Sequence, residues 1–230
     1  MIGGDNYIRL IRKELKYMNC TRDDLLLYAV TDSSWTYDRR LYDQVEEALK
    51  GGATFIQLRE KGMEHDEYLK EAIEIKELCK KYNVPFVIND RVDIALECDA
   101  DGVHVGQKDM EAGEVRAKLG PDKIIGVSAR TVEQALLAQK HGADYLGVGA
   151  VFSTSTKEDA KALDHKVLKD ICEAVDIPAI AIGGISAENV SSLAGNGVAG
   201  VAVVSAIFAQ KDIEKSTREL KNLVKEMVEK

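Results

Sequence analysis

Short apolar segments rich in Val and Ile alternate along this chain with longer charged segments of helical period. The apolar segments are LLLYAVTD (25–32), ATFIQLRE (53–60), PFVIND (85–90), DGVHVGQ (101–107), KIIGVSAR (123–130), DYLGVGAVF (144–152), PAIAIGGI (178–185) and GVAVVSAIF (200–208). They do not alternate strictly between apolar and polar, as expected of parallel strands buried on both faces. The intervening segments read as helices. DEYLKEAIEIKELCKKYN (66–83) places Leu69, Ile73 and Lys76 along one stripe, with Ala72 and Ile75 beside it. TVEQALLAQKHG (131–142) opens on a capping Thr131 and closes at Gly142, a further helix begins near Asp164, and 210–230 closes the chain as a charged helix. RVDIALEC (91–98) is the shortest helical segment.

Eight strands, each followed by a segment of helix length, is the count of a (β/α)8 TIM barrel. An open doubly wound sheet is the alternative, but it does not require eight regular units, and no G-x-G-x-x-G follows the first strand. No Pro- or Ser-rich linker divides the chain. The predicted organisation is an α/β fold, with one TIM barrel over 25–230 preceded by an N-terminal extension over 1–24. Tyr7 to Met18 of that extension reads as a short amphipathic helix.

Charge narrows the classes of partner. Of 230 residues, 31 are Lys or Arg and 39 are Asp or Glu, a formal net charge of −8. Bulk binding to nucleic acid or to an anionic membrane is disfavoured, so an anion site must be a local cluster of donors. No apolar run approaches a membrane span. The first residues, broken by Arg9, Arg12, Lys13 and Glu14, do not read as a secretory signal. Cys20, Cys79, Cys98 and Cys172 form no close pair and read as reduced, mostly buried thiols, which makes the cytoplasm the expected compartment.

In this architecture chemistry gathers at the carboxyl ends of the strands. After the second strand, QLREK supplies Gln57, Arg59 and Lys61, an anion clamp or ordinary surface charge. The third strand ends in Asn89 and Asp90, and HVGQKD after the fourth brings Asp109, each Asp reading also as the opening of a helix. Two carboxylates on adjacent loops beside an Arg/Lys clamp suggest Mg2+ bridging protein and substrate phosphates. His104, inside its strand, reads as a barrel or pocket residue rather than a metal ligand; His65, His141 and His165 sit at helix edges. The fifth strand ends near Ser128. The sixth breaks into FSTSTK, where Thr154, Ser155 and Thr156 donate to an anionic or polar ligand and Lys157 adds charge; an ordinary Ser/Thr-rich helix-capping loop is the plainer reading. Gly183 and Gly184 after the seventh strand, and Ser205 at the end of the eighth, fall where barrels commonly bind phosphate.

Taken in order, QLREK, IND, HVGQKD, GVSA, FSTSTK, AIGGI and VVSAI resemble the thiamine-phosphate synthase family over Leu25 to Phe208. The resemblance implies a transferase of thiamine biosynthesis that joins hydroxymethylpyrimidine diphosphate to thiazole phosphate and releases pyrophosphate. It implies that Gln57, Arg59, Lys61, Asn89, Ser128 and Lys157 bind the pyrimidine diphosphate, with Lys157, Ser128 and Arg59 closest to the chemistry. Thr154, Ser155, Thr156, Gly183, Gly184, Val204 and Ser205 would take the thiazole phosphate, and Asp90 and Asp109 would hold Mg2+. The implied partners are small molecules, with no nucleic acid and no membrane; a homo-oligomer is left open. This chain departs from many relatives in carrying Ser153 in place of Pro, and its N-terminal extension lies outside the shared core. Two other readings remain: a thiazole tautomerase of the same superfamily, and a non-catalytic thiamine-phosphate-binding regulator.

Overall fold

A computed structural model describes residues 19–36, 38–153 and 162–230. Eight strands close into one barrel in chain order: β1 (Leu27–Val30), β2 (Phe55–Leu58), β3 (Phe86–Asn89), β4 (Gly102–Val105), β5 (Ile124–Ala129), β6 (Tyr145–Gly149), β7 (Ala179–Ile182) and β8 (Gly200–Val203). Every neighbouring pair is parallel, and β8 closes on β1 through Tyr28 opposite Ala202. The helices among the described residues are α1 (Leu41–Gly51), α2 (His65–Tyr82), α3 (Val92–Glu97), α4 (Ala112–Leu119), α5 (Val132–Lys140), α6 (His165–Ala174), α7 (Ser205–Phe208) and α8 (Ile213–Val228). None of them is long and apolar enough to cross a membrane. The helix expected over Tyr7 to Met18 lies outside the described residues.

The apolar residues separate into two clusters because successive strand residues point to opposite faces. Leu27, Ala29, Ile56, Leu58, Phe86 and Ile88 face outward and pack under the helices. Tyr28, Val30, Phe55, Val87, Tyr145, Ile180 and Ala202 face the barrel axis, where Cys20 joins them. A strand of this barrel thus buries both faces, which is why its sequence does not alternate in hydrophobicity. Cys20, Cys79 and Cys98 are buried, Cys172 is half-buried, and all four are free thiols.

The structure corrects the expected elements in four places. The segment read as an eighth strand over 200–208 is a strand only to Val203; Ser205–Phe208 then forms the one-turn helix α7. The stretch between β7 and β8 holds a 3-10 turn, Val190–Leu193, among the described residues rather than an α-helix. The buried stripe of α2 is Tyr68, Ala72, Ile75, Leu78 and Cys79, and Ile73 is exposed. Finally, neither aspartate caps a helix. Asp90 sits in the left-handed region at φ 60° and α3 begins after Arg91, while α4 is capped by Glu111, whose side chain accepts from the Gly113 amide. Thr131 does cap α5, accepting from the Gln134 amide.

Candidate active site

The carboxyl ends of β2 to β5 bring Gln57, Asn89, Asp90, Asp109 and Ser128 to one mouth. Gln57, on β2, lies opposite Val30 of β1 and Val87 of β3. Asn89 lies opposite His104. Arg59 follows the end of β2 and is buried. Its amide donates to Thr31 Oγ1 at 2.9 Å, and its guanidinium Nη1 lies 3.3 Å from Asp32 Oδ2. A carboxylate at the end of β1 therefore holds the guanidinium before any ligand arrives. Lys61, two residues further along the loop, is exposed.

The two aspartates are tethered rather than loose. Asp90 Oδ2 accepts from Asn89 Nδ2 at 2.6 Å, and the Asp90 amide donates to the His104 carbonyl at 2.8 Å. Asp109 Oδ2 accepts from the Gly106 amide at 2.8 Å, closing the loop after β4. Each tether engages one oxygen, Oδ2, of its aspartate within the loop that carries it, which turns the side chain away from the start of the following helix. Two carboxylates on adjacent loops form an all-oxygen donor set, which fits a hard divalent cation that takes its remaining ligands from substrate and water. Among the described residues there is no group of three or more His, Cys, Asp or Glu arranged to enclose a metal. Mg2+ bound by protein plus phosphate needs no such cage.

On the opposite side of the mouth, Gly183 and Gly184 have φ of 101° and 67°. A Cβ on Gly183 would overlap Ala150, and one on Gly184 would overlap the Ser153 carbonyl and lie 2.9 Å from Phe152 Cβ. Glycine is required here twice over, for the left-handed backbone and for the close approach of the β6 and β7 loops. The Asn189 side chain accepts from the Ser186 amide and donates to the Gly184 carbonyl at 2.8 Å, so it fixes this turn. Val204 and Ser205 follow directly on β8, with Ser205 opening α7. Thr154, Ser155, Thr156 and Lys157 lie outside the described residues.

Two features of the site are not marked by the sequence pattern. The first is Asp32, which in sequence is only the polar end of a strand. The second is a buried run of hydrogen bonds that crosses the barrel from Gln57 to Ser128. Gln57 Nε2 donates to Tyr28 Oη at 2.7 Å, Tyr28 Oη lies 2.8 Å from Tyr145 Oη, Tyr145 Oη lies 3.0 Å from His104 Nδ1, and His104 Nε2 lies 2.9 Å from Ser128 Oγ. A tyrosine inside a buried strand carries a hydroxyl that must find a partner, and that is the one signal of this run in the sequence. Burial, the largest effect, raises both tyrosines above the ordinary phenol range, so both keep their protons.

Glu60 stands between Arg59 and Lys61. Burial raises its carboxyl above the usual range, a bond from Ser33 and the charge of Arg59 oppose this, and Asp32 adds to it. Glu71 on α2 is raised to about 7, first by burial and then by Glu60 and Glu74. Glu60 Oε1 and Glu71 Oε2 are buried with no hydrogen-bond partner.

Comparison with known proteins gives one family. The model of the thiamine monophosphate synthase family matches residues 27–207. A thiamine-phosphate synthase of Ruminiclostridium cellulolyticum is 53% identical over 197 residues, 86% of this chain and 94% of that protein. One of Methanobrevibacter smithii is 50% identical over 203 residues, 88% of this chain and 95% of that protein. Among solved structures, a thiamine phosphate pyrophosphorylase from Pyrococcus furiosus superposes with a TM-score of 0.83 at 40% identity, covering 90% of this chain and 98% of that one. A family match over residues 27–207, with relatives identical at about half of the aligned positions, leaves one assignment: the chain belongs to the thiamine monophosphate synthase family.

Proposed function

We propose that this protein condenses 4-amino-2-methyl-5-(diphosphooxymethyl)pyrimidine with thiazole phosphate to give thiamine phosphate and pyrophosphate, and that it does so in the cytoplasm. The observation that carries the reading is the gathering of Gln57, Arg59, Asn89, Asp90, Asp109 and Ser128 at one barrel mouth, facing the glycine turn and Ser205 of β7 and β8, in a chain half identical to thiamine-phosphate synthases.

In this reading Gln57, Arg59, Lys61, Asn89, Ser128 and Lys157 hold the pyrimidine diphosphate. Thr154, Ser155, Thr156, Gly183, Gly184, Val204 and Ser205 hold the thiazole phosphate. Asp90 and Asp109 hold Mg2+, which when bound neutralises charge on the diphosphate. The bond between the pyrimidine methylene and the diphosphate oxygen breaks, and its electron pair leaves with the diphosphate. The thiazole nitrogen then supplies the pair that forms the new carbon–nitrogen bond. No strong base is required, so the residues work by placing two substrates in line and by stabilising charge on the leaving group. Arg59 is suited to stabilising that charge. Asp32 holds its guanidinium in place in the resting site, so little reorganisation is needed when charge develops.

The test is turnover of the purified protein with both substrates, with and without chelator. Thiamine phosphate and pyrophosphate should appear in equal amounts, activity should vanish with chelator, and Mg2+ should restore it. Isomerisation of a thiazole phosphate that survives excess chelator would point to the tautomerase instead. Tight binding of thiamine phosphate without any turnover would point to the regulator.

A further inference from the structure

The hydrogen-bonded run from Gln57 to Ser128 has room in the barrel only because two strand positions lack a side chain. A Cβ on Gly126 of β5 would overlap the Tyr145 ring and lie 2.5 Å from His104 Nδ1. A Cβ on Gly147 of β6 would lie 3.0 Å from His104 Cε1. Tyr28, Gln57, His104 and Tyr145 are all buried, and the two tyrosine rings stand 5.8 Å apart beside Phe55. The interior of a barrel normally closes with branched apolar residues. Here an amide, two phenols and an imidazole occupy it in a single file that begins and ends on residues of the mouth.

Each link has one proton to share, so the directions of the links are not independent. Gln57 donates Nε2–H to Tyr28. Tyr28 has accepted, so its own proton goes on to Tyr145, and the Tyr145 proton goes on to His104 Nδ1. An imidazole accepting at Nδ1 carries its proton at Nε2 and donates it to Ser128 Oγ. Ser128 has accepted, and its hydroxyl proton is left for the mouth. If Gln57 presented its oxygen instead, every link would reverse: Nδ1 would carry the proton, Nε2 would accept from Ser128, and Ser128 would offer the mouth a lone pair. A mixed arrangement strands a buried hydroxyl proton without an acceptor, which is unfavourable.

We propose that Tyr28, Tyr145 and His104 are positioning residues that form one polar relay, so that the orientation of the Gln57 amide on β2 decides whether Ser128 on β5 donates or accepts at the mouth. The proposal rests on the functional reading above in one respect, the assignment of Gln57 and Ser128 to the pyrimidine diphosphate. A donating Ser128 suits a diphosphate, which only accepts, and the Gln57 oxygen then suits the exocyclic amine of a 4-aminopyrimidine, which donates. One substrate thus matches both ends of the relay at once. A pyrimidine with a carbonyl at that position would turn the amide over and, through the relay, turn Ser128 from donor to acceptor against the diphosphate. The relay would in this way make recognition of the ring and recognition of the diphosphate a single event.

The experiment is nitrogen-15 NMR of the histidine side chains of the whole protein, without substrates, with His104 assigned by its loss in His104→Asn. The wild type should show His104 neutral and protonated at Nε2. Gln57→Glu at pH 9 replaces a donor by an ionised carboxylate that only accepts, so His104 should switch to the Nδ1–H form, although three hydrogen bonds separate the two side chains. Adding Tyr28→Phe, a change that does not touch His104, should abolish the switch. A wild-type His104 protonated at Nδ1, or the same ring-nitrogen signals in wild type and Gln57→Glu, would overturn the relay. Kinetics supply the functional half: Tyr145→Phe should raise the KM for the pyrimidine diphosphate about tenfold and leave that for thiazole phosphate within about twofold, and an unchanged pyrimidine-diphosphate KM would show that the relay does not serve recognition. The tautomer is read without turnover, so failure of the wild type to make thiamine phosphate would count against the functional reading alone.

Discussion

Single side chains at this mouth divide into those that meet charge appearing during the reaction and those that hold charge already present. In the proposed reading Lys157 belongs to the first kind, facing the departing diphosphate. An interaction that strengthens in the transition state shows in kcat. Lys157→Ala should lower kcat by roughly 100-fold or more, the scale of one preorganised electrostatic contact. Ser205, directly after β8, is proposed to hold the thiazole phosphate, which takes no part in bond breaking. Ser205→Asp should raise the KM for thiazole phosphate and change that for the pyrimidine diphosphate much less. Steady-state kinetics with each substrate varied in turn checks both; a reversed pattern would mean the two anion sites are exchanged. Gly126 sets a third expectation. Adding one methyl there collides with Tyr145 and His104, so Gly126→Ala should cost about 1–3 kcal/mol in chemical denaturation and lower kcat as well. An unchanged kcat would show that the barrel interior can shift without disturbing Ser128.

At the scale of elements, the β2 loop and α2 each carry a partly buried glutamate, Glu60 and Glu71. Tyr68 of α2 donates to the Leu58 carbonyl at 3.0 Å and docks the helix beneath the end of β2. Glu60 on the loop and Glu71 on the helix each carry a buried oxygen that lacks a hydrogen-bond partner, and the charge of Glu60 adds to the rise at Glu71. Glu71 is raised from an ordinary 4.5 to about 7. A carboxyl raised on folding favours the protonated native state. Its contribution is fully present below about pH 4.5 and is lost as the pH climbs through about 7. Glu71→Gln, which keeps the shape without the charge, should leave stability nearly unchanged at pH 4.5 and raise it at pH 8. The gain should be on the order of 1 kcal/mol, since partial exposure of Glu71 screens the effect. Thermal unfolding across that range is the measurement, and equal melting temperatures for the two proteins at pH 8 would rule out a charged, buried Glu71.

The whole molecule separates stability from chemistry between its two ends. Arg116 of α4 donates to the carbonyls of Gly120, Lys123 and Gly142 and pairs with Asp144 at 2.7 Å. Asp144 also accepts from the Ile125 amide and from Asn19 Nδ2. This cluster ties the amino ends of β5 and β6 together at the face away from the mouth. Removing one partner leaves a largely buried charge uncompensated. Arg116→Ala should therefore destabilise the barrel by about 3 kcal/mol while kcat per folded molecule stays the same. A fall in kcat with unchanged stability would contradict that division of labour.

What the amino-acid order decides alone is periodicity and local backbone demand. Eight Val/Ile-rich segments at regular spacing specify eight buried parallel strands, and Gly183-Gly184 marks a backbone that no other residue fits. The polar ends of those strands put Gln57, Asn89, Asp90, Asp109 and Ser128 at one mouth once closure is granted. Other features depend on distance in space between residues far apart in the chain. Asp90 and Asp109 look like helix caps in sequence; the structure turns their oxygens to Asn89 and the Gly106 amide. Ser205 to Phe208 is apolar enough to continue a strand, and only the end of hydrogen bonding to β7 and β1 turns it into a helix. Above all, Tyr28, Gln57, His104, Ser128 and Tyr145 lie on separate strands of an apolar pattern and reveal nothing of each other there. They become one hydrogen-bonded file only when the barrel closes, because burial removes water as a partner and leaves each polar group no choice but the next.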